Sequence, residues 1–491
     1  MAYRHGVYTS EVETALTAAP AVDASIPFVI GASKDSFGPK IISSWRQFVD
    51  VSGIDEAVDA VPGSDGWFSL SLVSFAYFWF RIAGRGECIM QGLESSGLVH
   101  GVSDLTVNNI LGALDSLDTI YEQTRRVPSI LCVPYFAKTA ALQSAMSTKM
   151  AGFGGRFKGV ALCDIPSDNH RLADQSVTIV DDADDALSAK ATVSPHLIAS
   201  WPYIGVDTMR FDGSTVLCAV MNRVDGENGD LPYVSPSNKN AYATGVYVQS
   251  VRPVDTWEDC TLAGSAITEG TPIVVGTSDY IAGDTTAFKY ASPENSAATF
   301  AVGNDGSHDV LCVVDASKIT VSPFSVQSQY VSGVNTTELP VWLNRDQVNA
   351  KLDANGIVSA LNTADGWVSW GNNTTAYPGN TDVKDYLIPD RRMFDYVQNL
   401  FQVFAAPRID NPLNRRQLEG VVNAFNQVLL SLQGFGALNA ASVAIDDERN
   451  TTQQLLAGVV YFRIKIAPPP PMQVIEGVFE YDVVGFAASI A

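Results

Sequence analysis

Four consecutive prolines at 468–471 constrain this chain more than any other feature. Proline lacks the N–H donor that a sheet ladder needs, and its ring locks φ. A run of four therefore ends any sheet and continues as a stiff, extended spacer. The text beyond it alternates as a half-buried strand does. Ile475, Gly477, Phe479, Tyr481 and Val483 fall on one face, and Glu476, Glu480 and Asp482 on the other. The spacer detaches this strand from the body that precedes it. A detached strand with one apolar face needs an edge to pair with, and another copy can supply one. Packing of Phe479 and Tyr481 within their own chain is the competing arrangement. Two long helical patterns lie upstream, at 392–405 and 415–433, followed by an alternating strand at 459–466. The second helix carries Leu418, Val421, Val422, Phe425, Leu429 and Leu432 on one stripe, with Gly434 as its expected stop. Such a chain is suited to being woven into a polymer.

A length of 491 residues exceeds what one core supports, so two to four domains are expected. The hydrophobic content of 46% and the 17% of charged residues place the chain among globular proteins. Its 53 acidic and 31 basic side chains leave a net charge of −22. That surface repels DNA and anionic lipid, and no basic stripe offsets it, so direct nucleic-acid binding is not expected. The six cysteines are scattered, and those in apolar text such as SILCVPYF and GVALCDIP behave as small hydrophobes. No spacing suggests a zinc site or a disulfide framework. The first twenty residues lack a signal-peptide pattern, which implies a soluble, intracellular product. The apolar stretch at 67–83 holds three serines and an arginine, and is read as a buried helix rather than a membrane span.

Residues 1–20 alternate weakly, with Val7, Thr9 and Glu11 against Tyr8, Ser10 and Val12, and read as an extended arm. Strands are expected at 26–32 and 86–91, around the helix at 67–82. From 104 onward the pattern becomes α/β, with helices at 105–123, 139–152 and 181–191. Strands are expected at 127–136, 158–164, 196–201 and 216–221. This alternation predicts a largely parallel sheet covered by helices. Residues 255–338 change texture: they are rich in Thr, Ser, Gly, Asp and Val, and carry short strands such as 272–275 and 310–314. An inserted all-β module is expected there. A strand at 340–343 and a helix at 345–353, with Gly356 as its C′ residue, resume the α/β pattern.

Chemistry is sparsely signalled. The five histidines, His5, His100, His170, His196 and His308, include no pair at helical metal-binding spacing. His196, beside Pro195, reads as a satisfied core histidine. Neither a nucleophile-elbow motif nor a Walker motif occurs. The run GFGGRFKG at 152–159 follows a helix and precedes a strand, the wrong order for a dinucleotide loop. Asp181, Asp182, Asp184 and Asp185 read as a helix start rather than a calcium loop. No catalytic, cofactor-binding or metal-ligating residue is assigned. The cations Arg391, Arg392, Arg415 and Arg416 stand out in an acidic chain. They are candidate interface charges meeting acidic patches of a neighbour, or else are solvated or paired locally.

At these residues a family resemblance emerges. GWVSWGNNTTAYPG at 366–379, the helix opened by Arg391 and Arg392, and the proline arm resemble the tail sheath proteins of contractile-tailed phages, in particular the temperate myophage type. HGVYTSEV at 5–12, SIPFVIGAS at 25–33 and PYVSPSNKNA at 232–241 resemble further blocks of that family, in family order from residue 3 to about 484.

The resemblance implies an α/β multidomain chain. It has a discontinuous α+β sheath core (23–103 and 389–467), a subtilisin-like α/β middle domain (104–254 and 339–388), and the β insertion (255–338). An N-terminal arm (1–22) and a C-terminal strand arm (468–491) flank them. It implies no enzymatic activity and no cofactor, because fold does not carry function and no Asp, His, Ser triad can be assembled here. It further implies self-assembly into six-fold rings around a tail tube, with baseplate and tail terminator proteins as partners, in a virion tail assembled in the host cytoplasm. Val7, Tyr8, Val12, Ile475, Phe479, Tyr481 and Val483 would form the inter-subunit arms. A phage-tail-like bacteriocin or another contractile injection system fits the same text. A tail-surface adhesin using the β insertion is the remaining class.

Overall fold

The structure is a computed structural model. It describes residues 22, 24–62, 67, 70–95, 98–99, 102–103, 105–167, 180, 182–207, 209–251, 341 and 343–490, with six strands between 272 and 340. The arm positions Val7, Tyr8 and Val12 lie outside the described residues.

A nine-stranded sheet runs through the body. Its strands are β1 (Pro27–Ser33), β2 (Phe37–Ile42), β3 (Cys88–Glu94), β4 (Ile130–Cys132), β5 (Val160–Asp164), β6 (Leu197–Ser200), β7 (Lys239–Asn240), β8 (Ile357–Thr363) and β9 (Gly366–Trp370). The order across the sheet is β7-β9-β8-β6-β5-β4-β1-β3-β2. The six central strands are mutually parallel, and antiparallel partners close both edges. Helices enclose this sheet or extend the body toward the C-terminus, among them α1 (Trp45–Ser52), α2 (Ser71–Tyr77), α3 (Ala140–Ala151), α4 (Gly213–Glu227), α5 (Ile388–Ala405) and α6 (Arg415–Gly434).

Strand alternation splits the core in two. Phe28, Ile30, Leu131, Ala161, Leu197 and Ile357 face a core shared with α3, α5 and α6. Val29, Cys132, Leu162, Ile198 and Val358 face another, shared with α1, α2 and α4. A parallel sheet buried on both faces explains why its strands read as continuous apolar runs. Close approach is built in at Gly31, where an added Cβ would lie 2.5 Å from Ser71 Oγ. That hydroxyl instead accepts the Ala32 N–H at 3.0 Å and ties α2 to β1.

Three expectations change. The boundary between core and middle domain at 103/104 does not divide the sheet, because β1 pairs in parallel with both β3 and β4. Residues 216–221 are not a strand but lie within α4. Every residue from Gly213 to Met221 is buried, so the helix shows no polar face to betray its period. Gly434 does not stop α6; it is the last helical residue, and the left-handed turn falls at Gly436 (φ 80°). Gly356 does take up the left-handed conformation after its helical segment (φ 72°). The apolar stretch near residue 70 is α2 followed by a π-helical turn, Phe78–Ile82, with Phe75, Phe78 and Trp79 fully enclosed. Among the described residues, no helix is long and apolar enough to cross a membrane.

The chain leaves the body through strand Gly245–Val251 and returns through Thr336–Pro340, which are antiparallel neighbours with Val251 opposite Thr336. Every described element between them is a strand: Pro272–Val275 with Ser278–Ile281, and Phe288–Glu294, Ala297–Val302 and Val310–Asp315 as a three-stranded antiparallel sheet.

Candidate assembly surface

The C-terminal portion is built outward from an anchor. At the start of α5, Arg392 is buried and forks onto Asp225 of α4, with Nη1 3.0 Å from one oxygen and Nη2 on the other; Nη2 also reaches the Ala24 carbonyl at 3.1 Å. Arg391 bridges Asp385 at 3.1 Å and Asp395 at 2.7 Å. His196 Nδ1 lies 2.8 Å from the Gly159 carbonyl and 3.3 Å from Asp395, so it is a packed core histidine. Asn399 accepts the Lys158 N–H at 2.9 Å and donates to the Lys158 carbonyl at 2.7 Å.

These groups face the chain's own body. Arg391 and Arg392 are buried and paired within the chain, the local alternative of the sequence reading. The carboxylates that claim them are Asp225, Asp385 and Asp395, brought together by the fold from up to 167 residues away. Burial pushes the Asp225 carboxyl up to about 6, although Arg392 opposes the shift. Burial alone pushes Asp390 up to about 7, and its Oδ1 has no partner among the described residues. Arg415 and Arg416, by contrast, are exposed on α6, where Arg415 pairs with Glu419 at 2.7 Å.

The far end of α5 holds α6 through aromatic contacts: Phe401 and Phe404 meet Phe425 with ring centroids 5.0 and 5.1 Å apart. On these helices sits a hairpin-like pair, Ala440–Ile445 with Phe462–Ala467. Phe462, Ile464 and Ile466 point inward, Phe462 against Phe401, while Arg463, Lys465 and Ala467 point to solvent.

The two edges of this pair are unequal. The Asp446 N–H donates to the Tyr461 carbonyl at 3.0 Å, which fixes the alternation of hydrogen-bonded positions along the ladder. It follows that Val443 turns its N–H and C=O away from the partner strand. Asn426 of α6 meets both, accepting at 3.0 Å and donating at 3.3 Å. Helix α6 thus caps the first strand. By the same alternation Phe462, Ile464 and Ile466 turn their backbone groups outward, and that edge pairs with no other described strand. It is an open lane.

Beyond the prolines the tail stands free. Residues 473–482 form neither helix nor strand and join no sheet among the described residues, and Phe479 is 97% exposed, with Ile475 at 82% and Tyr481 at 74%. Val483 is not the last strand residue. It opens a short apolar helix, Val483–Ile490. An apolar row this exposed on an otherwise well-packed chain marks a surface meant to be covered.

The carboxyl ends of the parallel strands, where α/β enzymes place their chemistry, hold a buried polar knot. Asp164 accepts from Ser200 Oγ at 2.6 Å, from the Ser214 N–H at 2.8 Å and from Ser214 Oγ; Lys138 pairs with Asp212 at 3.1 Å. Burial raises the Asp164 carboxyl despite Lys138 and these donors. The knot ties β5 and β6 to the start of α4. Cys88, Cys132, Cys163 and Cys218 are buried free thiols, and burial raises the first three. No group of three or more metal-ligating side chains occurs among the described residues. Sequence reasoning misses the Asn426 cap and the open lane; the only signal for the lane is the alternation at 459–466.

The architecture defines a class. Over nearly its whole length the chain superposes on subunits of contractile assemblies. The anti-feeding prophage sheath in its contracted state gives a TM-score of 0.54 at 16% identity, covering 98% of this chain and 100% of that one. The PVC extracellular contractile injection system sheath, also contracted, gives 0.55 at 16% identity, covering 99% of each. A chain of the anti-feeding prophage baseplate gives 0.55 at 17% identity, covering 98% and 100%. The chain has the fold of these sheath and baseplate subunits.

Sequence similarity points the same way over a shorter stretch. The tail sheath protein of Burkholderia phage BcepMu is 27% identical over 154 residues, 30% of this chain and 32% of that protein. A putative prophage major tail sheath protein of Pseudomonas aeruginosa is 24% identical over 151 residues, 30% of this chain and 38% of that protein. The chain thus spans about a third of the length of the curated relatives it matches. No family model matches it.

Proposed function

We propose that this chain is the subunit of a contractile tail sheath, which polymerises as stacked six-fold rings around a tail tube and contracts to drive that tube through a host envelope. The observation that carries the reading is the pairing of a detached apolar arm with an open strand edge on one chain of sheath fold. An arm unpaired at home and an edge without a partner satisfy each other when copies are adjacent. Strands added to a neighbour's sheet keep subunits linked through main-chain hydrogen bonds while their rigid bodies repack. Contraction is then a switch between two packings of one subunit, driven by interface burial and needing no nucleotide.

In this reading the baseplate, tube and terminator are the other partners, assembly takes place in the host cytoplasm, and the chain performs no catalysis. The α/β body serves as the subtilisin-like scaffold of the family. The β module between Val251 and Thr336 sits outermost, where it leaves the tube surface clear. Arg415 and Arg416, exposed on an acidic chain, are the cations available to a neighbour's carboxylates. A phage tail, a bacteriocin and an extracellular injection system all satisfy this description.

The test is electron microscopy of the concentrated full chain beside a truncation ending at Ala467. Tubes or stacked rings from the full chain alone support the reading. Monodisperse particles from both would remove self-assembly through the arm.

A further inference from the structure

A cavity of about 10 Å³, the room that one water molecule needs, lies beside the first turns of α5. It is lined by Val22 and Ala24, where the described chain enters the body, by Ser129 ahead of β4, and by Arg392, Asp395 and Asn399 of α5. The three α5 side chains are exposed by 3% or less. Most of the hydrogen-bonding capacity around this cavity is committed. Arg392 Nη1 and Nη2 serve Asp225 and the Ala24 carbonyl, Asp395 Oδ1 accepts from Arg391, and Asn399 holds both backbone groups of Lys158. Two atoms are left over: Arg392 Nε has no acceptor and Asp395 Oδ2 no donor among the described residues. His196 Nδ1 lies 3.3 Å from that oxygen, but its hydrogen is directed at the Gly159 carbonyl, 2.8 Å away, which can only accept.

We infer that this cavity is a binding site for one water molecule, which accepts the Arg392 Nε–H and donates to Asp395 Oδ2. The occupant has to accept and donate at once, which water does and a simple ion does not. The volume excludes anything larger. The two side chains also select for neutrality. A cation beside Oδ2 meets the guanidinium, and an anion beside Nε meets the carboxylate, both in a buried setting where like charges repel strongly. The second hydrogen of the water is left for Ser129 Oγ, whose own hydrogen is committed to the Ala24 carbonyl. Three partners are the usual complement of a buried water. A buried donor and a buried acceptor left unmade cost more than immobilising one water, so occupancy is favoured. The bridge joins Arg392 and Asp395, one turn apart on α5, to the segment ahead of β4. A solvent molecule is thus a structural part of the mount on which α5 sits. The site forms within one chain and stands apart from the sheath reading.

The test is a crystal structure of the full chain at a resolution that shows ordered waters. The expected result is a peak about 2.7–3.2 Å from both Arg392 Nε and Asp395 Oδ2. No peak at that position, or Nε bonded directly to Oδ2, overturns the inference. Crystals grown in sodium chloride and in potassium acetate separate water from an ion. A peak of the same height in both supports water, and a height that follows the salt marks an ion and overturns it. Asp395→Asn adds a second readout. The amide oxygen accepts as the carboxylate does, so the peak is expected to stay. A peak lost with the carboxylate's charge is a bound cation, and water is then the wrong occupant. If the variant does not fold, the maps of the unaltered chain in the two salts decide.

Discussion

Single residues decide how firmly the assembly surface is mounted. Arg392 and Asp225 are both buried and hydrogen-bonded, so deleting one leaves the other as an uncompensated charge. Arg392→Met is expected to cost about 3–5 kcal/mol of stability, read as a drop in the urea midpoint. Asp390 works the other way. Its carboxyl is buried with one oxygen unpartnered, and its pKa is raised to about 7. The folded state therefore holds a proton that the unfolded state, with an ordinary carboxylate, has already released. The contribution is complete below about pH 4 and is lost as pH rises toward about 7. Asp390→Asn keeps a neutral side chain at every pH. The gap between variant and parent in urea midpoint should widen in the variant's favour from pH 5 to pH 8; a constant gap would show that Asp390 does not titrate in this window.

At the scale of elements, the hairpin-like pair has one edge closed by an amide and one left open. Asn426→Ala removes both hydrogen bonds to Val443 and exposes a second lane. The expected cost is about 1–3 kcal/mol, with faster amide exchange confined to 440–445, and a second strand edge able to accept a tail wrongly. The sequence foretells the elements here better than their relations. Helix α6 is legible because it has one face on the core and one in water, α5 because its apolar residues recur at helical spacing although Gln402 alone in it is exposed, and the strand Phe462–Ala467 because it alternates. The first part of α4 reads as a strand because burial of every residue from Gly213 to Met221 erases the period. The fates of the four arginines are not legible either. Arg391 pairs with the nearby Asp385 and, at i,i+4, with Asp395, but Arg392 turns inward onto Asp225, 167 residues away, and no local pattern announces so distant a partner. The tail is legible as detached and apolar. Its helix from Val483 is not, because an eight-residue apolar run has no polar punctuation with which to choose between strand and helix.

At the scale of the whole molecule, the topology separates what must be continuous from what is added. The main sheet of the body draws strands from both sides of the excursion between Val251 and Thr336, and β6 lies against β8 across that gap in sequence. Val251 and Thr336 are paired neighbours, so the chain departs and returns at one point. Opposed residues in an antiparallel pair have Cα atoms about 5 Å apart, a span that a two-residue turn closes. Replacing residues 252–335 by Asn-Gly should therefore yield a hairpin in place of the module and leave the body's core untouched. The expected outcome is a chain that melts within a few degrees of the parent and still forms tubes, narrower in outer diameter and unchanged in lumen. A narrower lumen would place the module on the inner surface instead. Loss of folding would mean that the body's sheet depends on packing from the module. An unchanged lumen with a thinner wall would show that the inner surface of the sheath belongs to the α/β body and its arms alone.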